Sequence, residues 1–180
     1  MLSISPSNAR GQRWPEGWAA WFATAFGFYV LGGLLGATGG AMLPGYPIQP
    51  TDSIGSVGTI FEHNLMVLAL LSTGFLTLGL TTLAGLFLNG TLLGFVGLEL
   101  IERHQALSLL TAVGPQLPLE LGAYFIAAGA TLRIAWDLWW PLLARRGRGP
   151  LHWKAWMAAE AAAVAMLFAG AVVEVMYSHI

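Results

Sequence analysis

The 180-residue chain contains no cysteine. Disulfides, thiolate metal sites and cysteine nucleophiles are therefore excluded, and the redox compartment is left undetermined. Charge is almost as scarce: eight Lys and Arg with nine Asp and Glu make up 9% of the residues, where soluble domains average about 25%. With 56% of the chain hydrophobic, so few ionisable side chains cannot cover the surface of a water-soluble fold. The motifs of common soluble enzymes are also missing, with no GxxxxGK[ST], GxSxG, HExxH or dinucleotide fingerprint. A net charge of -1, with arginines confined to short clusters, leaves no nucleic-acid footprint. Internal repeats and low-complexity tracts are absent too.

What is present is a series of long apolar runs, each near the roughly 20 residues that a membrane-crossing helix needs. The first, about 18–43, is closed by "PGYPIQPTDS", whose three prolines and glycine forbid continuation. It lacks the short apolar core of a signal peptide and is expected to be retained. No charged side chain lies between His63 and Glu99. As one helix, that stretch would be about 54 Å long at about 1.5 Å per residue, too long for a hydrocarbon core of about 30 Å. It must fold back, and "TLGLTT" at 77–82 is its weakest point.

Spans are thus expected near 54–78 and 82–101, the earlier one capped by Asp52 or Ser53. "ERHQALSLLTAVGPQLP" then supplies a polar break with a short amphipathic piece, before a fourth span at about 119–140 that Pro141 is expected to end. The fifth runs over about 153–177 and is the most polar, carrying Lys154, Glu160 and Glu174. The expected fold is an all-α integral membrane protein with short loops: a segment 1–17, then one five-helix transmembrane domain over 18–180.

Arg10 and Arg13 precede the first span, while Arg145, Arg146, Arg148 and Lys154 join the fourth to the fifth. Four crossings separate these basic segments, so they share one side, which the positive-inside rule makes cytoplasmic. The N-terminus is expected inside and the C-terminus outside, in a multi-pass protein of the cell (inner) membrane. Indole rings favour the headgroup level, and all eight tryptophans fall near expected inner ends: Trp14, Trp18, Trp21, Trp136, Trp139, Trp140, Trp153 and Trp156. Tyr46, Tyr124 and Tyr177 fall near outer ends.

An ionisable group inside the membrane costs about 2.5 kcal/mol or more and is a functional hypothesis by default. Glu62, His63, Glu99, Glu120 and Glu174 all fall in outer halves of spans two to five. Either they converge, to bind a cation or relay protons with His63 as a nitrogen ligand, or they snorkel and bond between helices. The metal, if any, is unknown, and no cofactor is expected. Glu120 follows Pro115 and Pro118 at a broken helix entrance, where it caps open backbone donors or faces a cavity. Arg133 and Asp137 are spaced to pair along one helix. Glu160 is too far round from Lys154 to pair with it and is a candidate for contact with another helix.

Small residues form a second pattern. Gly32, Gly36 and Gly40 repeat every four residues along span one, and Gly90 and Gly94 do so along span three, a spacing that lets backbones approach closely. Asn89 sits beside the latter pair, where its amide can bond a neighbouring helix.

The order of these features resembles the stage II sporulation protein M family of small polytopic membrane proteins. The resemblance rests on Asn64 in "FEHNL", Gly74 and Gly79 in "GFLTLG", "NGTLLG" at 89–94, and "PQLPLELGAYFIAAGATLR" from Pro115. The family's His-Gly after the first proline is here Gln116-Leu117, while Glu120 keeps its place. The resemblance covers about residues 60–135 and implies an integral membrane protein without demonstrated chemistry of its own. The namesake helps to anchor a peptidoglycan-remodelling complex, and other members are thought of as transport-related.

Two functions follow as expectations. One is a non-enzymatic scaffold or assembly subunit in the bilayer, as a homo-oligomer or with other membrane proteins and linked to the cell envelope. The other is a small oligomeric channel or transporter whose route passes Asn64, Asn89 and Glu120, with Glu62 and His63 nearby. No catalytic residue is assigned.

Overall fold

The computed structural model describes residues 17–42, 56–102, 104, 107, 114–145 and 151–177, with backbone alone at 40–42. These residues form five helices, α1 (Trp18–Met42), α2 (Val57–Ser72), α3 (Leu80–Glu102), α4 (Leu117–Leu143) and α5 (Trp153–Tyr177), each long and apolar enough to cross a membrane when α2 is taken with the turn that follows it to Thr77. Among the described residues there is no strand.

α2 is prolonged by a 3-10 turn, Thr73–Thr77, and then reverses through Leu78 and Gly79, both at positive φ (57° and 86°). A β-carbon at Gly79 would be strained by that conformation and would press on the Leu132 side chain. The reversal closes with Gly79 N–H donating to the Gly74 carbonyl at 2.7 Å. Thr82 Oγ1 donates to the Leu71 carbonyl at 2.6 Å, and Trp139 Nε1 to the Phe75 carbonyl at 2.8 Å. These bonds satisfy carbonyls that a helix end otherwise leaves open in the membrane.

α4 is the central helix. Half of its apolar stretch is buried inside the protein, against about a fifth for each of the others, and it touches all four neighbours and the turn. Its sequence allows this because small residues face every direction. Ala123, Ala127, Ala128, Gly129, Ala130, Thr131 and Ala135 are all buried, so neighbouring helices close in around a slender axis.

The most extensive contact joins α1 to α3. A β-carbon at Gly32 would collide with the Phe87 carbonyl, one at Gly36 with that of Thr91, one at Gly90 with that of Tyr29 and one at Gly94 with that of Gly33. The register advances in the same direction on both helices, so they run parallel and touch backbone to backbone, as small-residue spacing permits. Gly40 lies in α1, and its surroundings fall outside the described side chains.

One end of the bundle is built from tryptophan. Trp21 packs on Trp136 with ring centroids 5.7 Å apart, Trp136 stacks on Trp140 at 4.5 Å, and Trp153 on Trp156 at 4.7 Å. Phe75 of the α2–α3 turn meets Trp156 at 5.7 Å. The start of α1, the α2–α3 reversal, the end of α4 and the start of α5 therefore share one end, as five crossings require. Trp14, like Arg10 and Arg13, lies outside the described residues.

Several details differ from expectation. The cap of α2 is Ser56, whose side chain accepts from Thr59 N–H at 3.2 Å; Asp52 and Ser53 fall outside the described residues, as do Tyr46 and most of the amphipathic piece. Pro141 does not end α4, which continues to Leu143. In the last turn a missing N–H costs a single bond, and the ring is tolerated. Tyr124 is not a member of an interfacial belt but is buried, 7% exposed.

Candidate functional site

Four helices diverge at the end opposite the tryptophans and leave a cavity of about 330 Å³. Its polar wall is Tyr29 of α1, His63 and Asn64 of α2, Asn89 of α3, and Glu120 and Tyr124 of α4; the remaining walls are valine and leucine. Glu120 and Tyr124 are four residues apart on one helix and therefore point the same way.

Asn64 is the hinge of the arrangement. It is 8% exposed, its Nδ2 donates to Glu120 Oε1 at 2.8 Å, and its Oδ1 accepts from Tyr124 Oη at 3.1 Å. The amide thus passes a hydrogen bond from a phenol to a carboxylate and ties α2 to α4. Glu120 lies close against α5, because a β-carbon at Gly170 would meet its Cγ at 3.3 Å. Glu174 of α5 is near enough for its charge to act on Glu120. Among the described residues no group donates to Glu120 Oε2, and none bonds the Tyr29 hydroxyl. Both residues line the cavity.

Asn89 lines the cavity without entering this chain of bonds. Its Nδ2 donates at 2.9 Å to the Gly85 carbonyl of its own helix, and not to a neighbour as expected. α3 turns its glycine face to α1, so the adjacent face carrying Asn89 looks into open space, and the amide satisfies itself within the helix. α3 is continuous through Gly90 and Gly94, which serve close packing and do not break it.

The five outer groups do not converge. Glu62 and His63 are both exposed, and only His63 borders the cavity; Glu99 is buried elsewhere on α3, at 4% exposure. Glu120 and Glu174 lie near enough for their charges to interact. Among the described residues no three His, Asp or Glu side chains are placed to hold a metal ion.

Toward the tryptophan end the cavity is closed by the core, with Leu68, Leu71, Leu86, Ala127 and Leu167 almost fully buried. A second polar cluster lies beyond this plug. Glu160 of α5 accepts from Ser72 Oγ at 2.8 Å and from Thr131 Oγ1 at 3.2 Å, and Trp156 Nε1 donates to Thr131 Oγ1 at 3.1 Å. Glu160 thus makes the contact with other helices that its position suggested, joining α2, α4 and α5. Nearer the end, Asp137 holds Arg133 Nε at 3.1 Å and His152 Nδ1 at 2.6 Å. The i,i+4 pair is as spaced, and His152 is an addition.

Sequence reasoning missed Tyr124, Tyr29 and the partners of Glu160. The four-residue step from Glu120 to Tyr124 is a usable signal for the first; Ser72 and Thr131 carry none, because their roles depend on which helices meet.

The fold and the site define an integral membrane protein of five spanning helices with a polar cavity embedded in one half. Residues 20–179 match the model of the family described as Stage II sporulation protein M, and the chain belongs to that family. Among curated proteins and among solved structures none matches. The motif residues divide between two duties: Asn64, Asn89 and Glu120 line the cavity, whereas Gly74, Gly79 and Gly94 serve the α2–α3 reversal and the α1–α3 contact. Gln116, at the place of the family's histidine, is the buried N-cap of α4 and makes no side-chain cap bond.

Proposed function

We propose that the chain is a non-enzymatic membrane protein of transport type, in which the cavity around Glu120 receives a small solute. The observation that carries this is a carboxylate-bearing residue, Glu120, in the wall of a cavity lined by four helices, with one of its oxygens held by a neutral amide. A purely structural tie between α2 and α4 would be met by Asn64 and Tyr124 without a charge that is costly at membrane depth. The cavity is closed at its inner side, so passage requires the helices to rearrange around the site, as in transporters whose sites alternate between faces. Placement in the cell membrane with the tryptophan end toward the cytoplasm belongs to the same proposal.

The test is solute and ion flux in proteoliposomes. Wild-type flux abolished by Glu120→Gln supports the assignment; a wild-type protein that passes none of a panel of monovalent ions, protons and small organic ions sinks it.

A second function is favoured by one feature. Beside the α1–α3 contact runs an apolar groove of about 430 Å³, bordered by Gly33, Ala37 and Gly97. A β-carbon at Gly97 would meet nothing within 4 Å. A helix of a second copy or of another membrane protein fits such a groove, which is the scaffold or assembly role. Crosslinking from Gly97→Cys in native membranes tests it: an adduct of defined size supports the role, and monomer alone at full modification of the thiol removes it.

A further inference from the structure

The cavity's chemistry narrows its ligand. We propose that it takes a small organic ammonium ion, with the charged nitrogen on the Glu120 carboxylate and the alkyl part against the valine and leucine walls; this rests on the cavity being a ligand site.

Sign comes first. Among the described residues the carboxyl and imidazole groups at or beside the cavity are those of Glu120, Glu174 and His63, with the phenols of Tyr29 and Tyr124, and neither Lys nor Arg lines it. A carboxylate in such surroundings is best compensated by a cation that also bonds to it. The nature of the cation comes from the rest of the wall. A hard metal ion needs about six oxygen ligands to replace its water, whereas one carboxylate oxygen and a few neutral groups stand here, and most of the lining is hydrocarbon. An ammonium needs only a few acceptors, and its carbon skeleton gains from leaving water. Tyr29 and Tyr124 add aromatic walls of the kind that attract alkylated cations. The Tyr29 hydroxyl, which no described residue bonds, gives a second point of contact for a ligand bearing an oxygen. The volume of about 330 Å³ lies at the small end of ligand pockets, about 300–1,000 Å³.

The experiment is calorimetric titration of the purified full chain in detergent or nanodiscs with n-butylammonium chloride, against NaCl at matched ionic strength and against n-butanol. Saturable binding of n-butylammonium is expected, weakened at least tenfold by Glu120→Gln and abolished by Val96→Trp, which adds bulk to the cavity wall from α3 and leaves the carboxylate in place. Equal binding of n-butanol, tighter binding of Na+ or Ca2+ that excludes n-butylammonium, or no saturable binding to folded protein would each overturn the inference. Binding without flux would support the ligand class while counting against transport. Flux of Na+ or protons without ammonium binding would keep transport and overturn the ligand class.

Discussion

Asn64 carries two bonds at once, and the consequences of removing it differ from those of removing either partner. Asn64→Leu leaves a half-buried carboxylate without its donor and a buried phenol without its acceptor, so a loss of about 1–3 kcal/mol in stability is expected. Tyr124→Phe removes one neutral interhelical bond and should cost only about 0.6 kcal/mol, the average for such bonds in membranes. Reversible unfolding in mixed micelles measures both, and equal losses would show that the three side chains do not act as the chain of bonds described. At this scale the sequence was partly legible. Asn64, Asn89 and Glu120 stood out because amides and carboxylates are conspicuous in apolar runs, and all three border the cavity. The direction of each side chain was not legible. Asn89 bonds its own helix because α3 is rotated to give its glycines to α1, and that rotation depends on where another helix lies.

At the scale of the element, glycines decide what touches. Gly90→Ala places a methyl group on the Tyr29 carbonyl and must push α1 and α3 apart. Gly97→Ala, on the same helix, meets nothing within 4 Å and gains helix propensity of up to about 1 kcal/mol. Thermal unfolding of the two variants should therefore move in opposite directions, and a Gly90→Ala protein as stable as wild type would refute the backbone contact. Glu160 makes a parallel case. Glu160→Ala removes the acceptor of the Thr131 hydroxyl and one of the two acceptors of Ser72, which keeps the Leu68 carbonyl, whereas Glu160→Gln keeps an acceptor for one of them, so unfolding experiments should find alanine the more damaging. Element positions were well legible from apolar length, because the bilayer imposes it; span five coincides with α5, and spans one and three with their helices to within two residues. Capping was not, because Ser56 and the positive φ at Leu78 reflect the path of the chain as well as its composition.

For the molecule as a whole, the proposed topology of five crossings puts the start of α1 and the end of α5 on opposite sides of the membrane. Cysteine introduced at position 8 is expected to be protected from an impermeant thiol reagent in intact cells, and cysteine at 179 to react; the absence of native cysteine makes the readout clean. Labelling at 8 would overturn the orientation. The arrangement of spans was legible in the tryptophans, seven of which the structure gathers at one end. The centrality of α4 was overlooked, although the small residues at 123, 127–131 and 135 are its signature: they let neighbouring helices approach it from several sides.

The parallel contact between α1 and α3 also constrains how the protein is made. Its two halves leave the ribosome far apart, since all of α2 and the reversal must be synthesised between Gly32 and Gly90; at about 5–20 residues per second that takes several seconds. During that interval α1 waits in the bilayer with its glycine face against lipid or against whatever insertion machinery holds it. Assembly therefore cannot proceed by each helix packing on the one before it. A nascent chain interrupted after Ser72 is left with a first helix that has no partner for its closest contact, and quality control would meet it in that state.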